Sequence, residues 1–462
     1  MPSVTVEPFF LSCLAHASYL VASEGIAAVI DPQRDVDIYI DAAREKGLKI
    51  EHIIETHLHA DFVSGHHELA ERTGARIYLG AGSGAKFTHA AVADGDSIQF
   101  GKCRLDFLST PGHTVESICI VMTDLSEGDT PQAIFTGDTL FVGDVGRPDL
   151  SGSYTPQQLA AQLYHSLQDK LLKYPDETKI YPAHGAGSLC GRNMSTERWS
   201  TIGREKLSNY ALKANSEDEF VRMVTEGLPP RPEYFGRDVE LNREGAHLLN
   251  EIPPPKPVRA PDVLRLQSEG AIVLDTRPAM QFAVAHVPGS IHIALSGQYA
   301  SWAARILGLD KQIILVGEDD DHLRESQMRL ARVGIENVKA YLDGGIHGWI
   351  NEGFELEYIP QVTVEEFSEL LAADRDQHIS VLDVREPGEV ESGAMQGSFR
   401  IPLGQLASRA SELDPEKLIV VHCKGGYRSS IATSILRRAG FKEVANLTGG
   451  YDAWKQSMAQ AA

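Results

Sequence analysis

His52-Ile53-Ile54-Glu55-Thr56 runs directly into His57-Leu58-His59-Ala60-Asp61-Phe62. The first five residues read as a β-type run, and polar donors then stand at every second position. Side chains two apart on an extended segment face the same way, so His57, His59 and Asp61 can converge on one ion. Working outward, Ser109–His113, Phe135–Asp138 and Tyr181–His184 each put a His or Asp just after a strand-like run, in a turn marked by Gly, Pro or Ala. Open α/β architectures build their sites at such strand ends. Imidazole and carboxylate there are ligands for a first-row transition metal. The scattered His16, His52, His66, His67 and His89 lack this spacing and read as hydrogen-bonded structural residues.

Around these motifs, β-type runs recur at Tyr19–Ala22, Ala27–Ile30, Ile77–Leu79, Leu105–Leu108, Ile118–Met122, Ala133–Thr136 and Lys179–Tyr181. Helical patterns lie between them, as at Asp37–Lys46 and Gln157–Leu172. Strands alternating with helices predict a layered α/β fold. Glu251–Pro257 then holds four prolines in seven residues, an extended connector that marks a domain boundary.

The remainder is an internal duplication. Val273–Arg277 matches Val381–Arg385, Pro288–His292 matches Gln396–Arg400, and Asp343–Trp349 matches Thr448–Trp454. The offset is 108 in the first half and 105 in the second, which implies three extra residues in the first copy, read as lying before its central strand. Each copy suits one doubly wound domain. The chain of 462 residues is too long for one core, and the division expected is 1–250, 251–258 as linker, 259–357 and 358–462.

A net charge of −21 argues against a nucleic-acid partner, which needs clustered Lys and Arg. No apolar stretch reaches the ~18 residues of a membrane span. The first residues carry no basic leader, so a soluble, cytoplasmic protein is expected. Cys13, Cys103, Cys119, Cys190 and Cys423 form no CxxC pair and no disulfide framework, in keeping with a reducing compartment.

THLHAD at 56–61, TPGHT at 110–114, TGDTLF at 136–141 and YPAHG at 181–185, in this order, resemble the metallo-β-lactamase superfamily in its glyoxalase II and persulfide dioxygenase branch. The resemblance covers about residues 1–250 and implies an αββα sandwich. The wider family carries HxHxDH, whereas Phe62 stands in the last position here. In two-metal members that histidine helps hold the second metal, so Phe62 speaks against a binuclear zinc hydrolase. Persulfide dioxygenases hold one Fe(II) with two His and one Asp, which carries over to His57, His113 and Asp138. Such a face leaves positions open for a sulfur substrate and O2. His59, Asp61 and His184 then become the groups that orient those ligands. Cys190, six residues after His184, either enters the pocket or is a small buried thiol. Arg147 either pairs with a substrate carboxylate or forms a structural ion pair.

In the second repeat, the apolar run Leu418–Val421 ends in His422-Cys423-Lys424-Gly425-Gly426-Tyr427-Arg428-Ser429-Ser430, and a helical pattern follows. A cysteine at a strand-to-helix turn lies among amide N–H groups and at the positive end of the helix dipole. Lys424 and Arg428 add positive charge, so Cys423 is expected to be an activated nucleophile. The spacing C-x5-R also occurs in tyrosine phosphatases and arsenate reductases. With VLDVRE, GSFRIPL and LTGGYDAW, however, residues 360–460 resemble rhodanese, whose cysteine takes up a sulfane sulfur as a persulfide and passes it to a thiol or to sulfite. Asp383 and Arg385 read as fold-stabilising. In the first repeat, Ile313–Val316 is followed by Gly317-Glu318-Asp319-Asp320-Asp321, and alignment on the Gly-Gly-x-x-x-Trp ending puts Glu318 in the cysteine's place. That copy is expected to be a scaffold.

The resemblances together imply a persulfide dioxygenase–rhodanese fusion. Its reactants would be a low-molecular-weight persulfide, O2, sulfite and thiosulfate, with one Fe(II) per chain and homo-oligomers as a further expectation. The alternatives are a glyoxalase II-like zinc thioester hydrolase fused to a rhodanese, and a persulfide-binding sensor or carrier.

Overall fold

The computed structural model describes residues 3–374 and 377–461. The chain forms two compact units, the first running to Ile252 and taking in Ala331–Gly334 as well, the second holding Pro253–Leu330 and the residues from Ile335 on.

The first unit is an αββα sandwich. One six-stranded sheet takes its strands in chain order: Val4–Leu11, His16–Ser23, Ile26–Ile30, Lys49–Ile54, Arg76–Gly80 and Ala90–Val92. The other does the same with Ser97–Phe100, Cys103–Ser109, Ile118–Asp124, Ala133–Gly137, Lys179–Pro182 and Ser200–Thr201. The two-residue period of a strand explains the layering. Tyr19, Val21, Ala28 and Ile30 point into the core between the sheets, against Phe107, Ile118, Ile120, Met122 and Phe135. Their neighbours Leu20, Ala22, Ala27 and Val29 point the other way, onto Tyr39 and Ala43 of the helix Asp37–Glu45 and Leu69 of the helix His66–Thr73. On the far face, Cys119 and Val121 meet Ala160 and Leu163 of the helix Pro156–His165. Central strands covered on both faces read as unbroken apolar runs for this reason.

Two expectations need adjusting. The strand leading to the histidine string stops at Ile54, so Glu55 and Thr56 already belong to the turn. The helix expected over 157–172 is regular only to His165, after which a wider turn, Ser166–Lys170, and a tight one, Leu171–Lys173, finish it.

The second unit contains two five-stranded parallel sheets of the same design. The first has the order Lys256–Val258, Val338–Leu342, Ile313–Val316, Ile272–Asp275, Ile291–His292. The second has Gln361–Val362, Val444–Leu447, Leu418–His422, Ile379–Asp383, Phe399–Arg400. The end of the proline-rich connector is therefore an edge strand, a position that tolerates Pro257 because one side of it needs no ladder bond.

Register corrects the alignment of the repeats. Asp275 pairs with Val316 and Asp383 with His422, so Gly317, not Glu318, stands where Cys423 does. A Cβ added at Gly345 would meet the Gly317 carbonyl oxygen at 3.2 Å, and one added at Gly450 would meet that of Cys423 at 2.5 Å, which gives the same pairing. Two of the three extra residues precede the central strand and one follows it. Neither alignment gives the first copy a thiol. Among the described residues, no helix is long and apolar enough to cross a membrane.

Candidate metal centre and cysteine loop

The six predicted donors of the first unit meet at one end of its sheets. All are buried: His57, His59, Asp61, His113, Asp138 and His184 are each at most 4% exposed. Donor atoms of His57, His113 and Asp138 lie within 4.8 Å of one another, and those of His59, Asp61 and His184 form a second such group. His113 Nε2 is 3.2 Å from Asp138 Oδ2, and His57 Nε2 is 3.8 Å from the same oxygen.

Hydrogen bonds on the far side of each group decide which atom faces inward. The Thr56 hydroxyl donates to Asp31 Oδ2 at 2.9 Å. Its oxygen can then only accept from His57, so His57 Nδ1, 3.0 Å away, carries the proton and Nε2 carries a lone pair. His113 Nδ1 lies 2.9 Å from the carbonyl oxygen of Arg147, which can only accept, so its Nε2 is also bare. Asp138 accepts from His184 Nδ1 through Oδ1 at 2.8 Å, leaving Oδ2 unbonded. His57 Nε2, His113 Nε2 and Asp138 Oδ2 are all buried without a hydrogen-bond partner. Three converging lone pairs in a dry site repel one another unless a cation lies among them. Such a donor set fits a metal.

Charge follows the same pattern. Burial, then the neighbouring imidazole of His59, holds His57 well below the ordinary histidine range, and burial lowers His113. Burial alone would raise Asp138, but His184, His113 and His57 together keep it well below the usual carboxylate range. His184 would be lowered by burial, yet Asp138 and Asp61 on its two sides push it well up. Its Nε2 lies 3.0 Å from Asp61 Oδ2.

His59 turns away from Asp138. Its Nε2 sits 3.3 Å from Asp31 Oδ1 and 3.5 Å from Glu55 Oε2. The Phe62 ring fills the space beside it, 4.2 Å from His16 and 4.4 Å from His59 between ring centroids. His184 is 6.4 Å from Phe62 on the same measure. His16, expected to be a hydrogen-bonded structural residue, is hydrogen-bonded and also packs against Phe62 beside this site. It donates from Nε2 to the Asp31 carbonyl oxygen at 2.9 Å.

Cys190 comes within metal-ligand range of Asp138 and His184 and is buried. Burial, then Asp61 and Asp138, raises its thiol well above the ordinary value. Arg147 does not offer its guanidinium to a substrate. Nε and Nη2 bond both oxygens of Asp149 at 2.7 and 2.8 Å, and Nη2 also bonds the Pro229 carbonyl oxygen. Its contribution to the site is the carbonyl that orients His113. Gly146 allows this close approach, because a Cβ there would lie 2.0 Å from the Asp138 carbonyl oxygen and 2.8 Å from His113 Nδ1.

The sequence reading missed several contributors. Asp31 follows the strand Ile26–Ile30 and bonds both the amide and the hydroxyl of Thr56. Its position just beyond a buried strand was the available signal. Asn242, on the helix Tyr234–Glu244, donates to the carbonyl oxygens of His59 and Phe62 and accepts from the Ser64 amide. No local pattern marks it.

In the second unit, Cys423 directly follows the strand Leu418–His422 and is buried. The Gly426 amide donates to its sulfur at 3.1 Å, and the Ser429 hydroxyl lies 3.6 Å from it. Gly426, with φ +115°, takes the turn into the helix Tyr427–Arg438, so the positive end of that helix faces the thiol. Lys424 is exposed. Arg428 differs from expectation: its two terminal nitrogens grip Glu389 at 2.5 and 2.7 Å, so its charge is already matched. Asp383 and Arg385, read as fold-stabilising, form an ion pair at 2.6 Å, and the guanidinium covers the Tyr451 ring. Asp275 and Arg277 repeat that pair in the first copy.

Residues 11–184 match the metallo-β-lactamase superfamily, and residues 260–352 and 363–457 each match the rhodanese-like domain. The chain is 32% identical over 222 residues to persulfide dioxygenase ETHE1 of Bos taurus, which covers 47% of this chain and 78% of that protein. A hydroxyacylglutathione hydrolase of Francisella philomiragia is 33% identical over 252 residues, covering 51% of this chain and 95% of that one. The crystal structure of a metallo-β-lactamase from Staphylococcus aureus superposes with a TM-score of 0.66 at 32% identity, over 73% of this chain and 98% of that one. The fold and these homologues imply a bound metal and an enzyme. The chain belongs to the metallo-β-lactamase superfamily, has persulfide dioxygenases among its homologues, and is a fusion of that domain with two rhodanese-like domains.

Proposed function

We propose that this protein is a mononuclear iron persulfide dioxygenase joined to a sulfurtransferase, divided as 1–250, 251–258, 259–357 and 358–462, and working in a reducing cytoplasm. One observation carries the reading: His57 Nε2, His113 Nε2 and Asp138 Oδ2 converge with bare lone pairs, and it is supported by Phe62 standing in the sequence position of the last histidine of HxHxDH. Fe(II) bound there would supply open positions for a persulfide sulfur and O2, for the net conversion of R–SSH, O2 and water into R–SH, sulfite and two protons.

The chain's own residues prepare that reaction. Asp31, through Thr56, and the Arg147 carbonyl fix the tautomers of the two imidazoles. His184 holds Asp138 by one oxygen and is itself held by Asp61, so the free oxygen keeps its direction. Such outer partners typically contribute about 10–100-fold in metal affinity or activity. The Cys190 thiol, within reach of Asp138 and His184, would offer a further polar group at this end of the site.

At the second site, the Cys423 thiolate attacks the outer sulfur of a persulfide. The S–S bond breaks, the carrier thiol leaves with the electron pair and takes a proton, and the new Cys423 persulfide is held by the loop amides. Sulfite can then attack that outer sulfur, releasing thiosulfate and restoring the thiolate. Oxygen uptake with glutathione persulfide tests the reading, and His113→Ala should abolish it. Cys423→Ser should spare uptake and remove thiosulfate formation. Hydrolysis of a glutathione thioester without oxygen uptake would favour the zinc hydrolase instead.

A further inference from the structure

The cations around the cysteine loop are almost all matched by carboxylates. Arg428 is clamped by both oxygens of Glu389, a residue of the short helix Pro387–Glu391. Arg385 is tied to Asp383. Arg305 reaches Glu386 at 3.4 Å. Among the described residues, Lys424 forms no ion pair, and it lies exposed on the loop. The loop around Cys423 therefore offers the Gly426 amide at the sulfur and, in Lys424, one ammonium without an ion pair, and the guanidinium nearest in sequence to the thiol is neutralised by its partner.

The pair is partly sheltered from water, with the Arg428 side chain 16% and the Glu389 side chain 34% exposed. Burial alone would raise Glu389, yet the bonds from Arg428 hold it below the usual carboxylate range, so it is ionised at neutral pH. Glu389 also accepts the Glu386 amide at 3.1 Å, which fixes it at the first turn of its helix. Its carboxylate is thus held in place by two donors and does not depend on a chance rotamer.

We infer that Glu389 is a positioning residue that sets the charge preference of the Cys423 site, withholding Arg428 so that the site favours a sulfane-sulfur donor of low charge, an organic persulfide, over the thiosulfate dianion. The inference rests on the reading of Cys423 as a sulfurtransferase. A dianion entering the loop loses hydration, which the amide donors replace in part and which an unpaired cation close by would replace further. With Arg428 matched, the unpaired cation on the loop is the exposed Lys424, and a carboxylate anchored by Arg428 opposes a second negative charge. A persulfide brings at most one charge on the transferred sulfur. Both donors react by the same step: the Cys423 thiolate takes the outer sulfur, the donor S–S bond breaks, and a thiol or sulfite leaves with the bonding pair.

Glu389→Gln separates the two roles of this side chain, since glutamine keeps the helix-capping bond and loses the charge. The experiment uses the full chain and measures formation of the Cys423 persulfide from thiosulfate and from glutathione persulfide. The expected result for Glu389→Gln is a KM for thiosulfate lowered about tenfold, with kcat changed less than about threefold and a steeper dependence on salt. The KM for glutathione persulfide should shift far less. The double variant Glu389→Gln/Arg428→Gln should lose the gain, because the freed guanidinium is its source. An equal change for both donors, a fall in kcat alone, or a gain that survives in the double variant would overturn the inference. Absence of a Cys423 persulfide with either donor in the unmodified protein would instead remove the sulfurtransferase reading itself.

Discussion

Asp138 and His184 share one short hydrogen bond, 2.8 Å between Oδ1 and Nδ1, and it leaves the second oxygen of Asp138 unbonded toward His57 and His113. The arrangement divides one carboxylate into an anchored half and a free half. Removing the anchor should therefore loosen the donor set without deleting a donor. His184→Ala is expected to reduce bound metal and oxygen uptake about 10–100-fold, a milder loss than His113→Ala. Titration with ferrous ion under anaerobic conditions measures the first effect, and an oxygen electrode the second.

Phe62 is fully buried against His16 and His59. Phe62→His puts an imidazole beside Asp61 and His184, which already form a close pair. The expected outcome is that zinc-loaded variant protein holds close to two metals per chain, where the parent holds one. A polar ring in this apolar gap should also lower stability by about 1–3 kcal/mol, read from urea unfolding of the metal-free chains.

Asp383 and Arg385 are both buried, and the bonds from Arg385 outweigh burial to hold the Asp383 carboxyl below its ordinary value. A carboxyl lowered in the folded state stabilises that state above the unfolded value, about 3.9, and loses the contribution as pH falls through the folded one. Asp383→Asn should cost about 3–5 kcal/mol at pH 7, because it leaves a buried guanidinium without its counter-charge. The difference between variant and parent should shrink as the pH is lowered below about 4, as followed by the unfolding midpoint.

The parts of this molecule that were legible in the sequence are those whose signal is local. The unbroken apolar runs Tyr19–Ala22 and Ala27–Ile30 marked the strands, and the string His57–Asp61 marked a site because its donors follow one another at strand spacing. Cys423 was legible because strand, loop and helix stand together. What escaped depends on partners far along the chain. His57 owes its orientation to Asp31, 25 residues before Thr56, and the loop after it is held by Asn242, 180 residues beyond Phe62. Glu389 cancels Arg428 across 39 residues, which no loop motif announces. Gly317 was misplaced by one because the ending of the repeat is a poorer guide to the central strand than the ladder pairing of Asp275 with Val316.

The central claim is a single metal held by His57, His113 and Asp138. Iron and zinc determined by mass spectrometry on the full chain, purified without oxygen from cells supplied with both metals, test it most directly. One iron per chain, lost in His113→Ala, is the expected result. Two zinc ions per chain, with no iron, would contradict it.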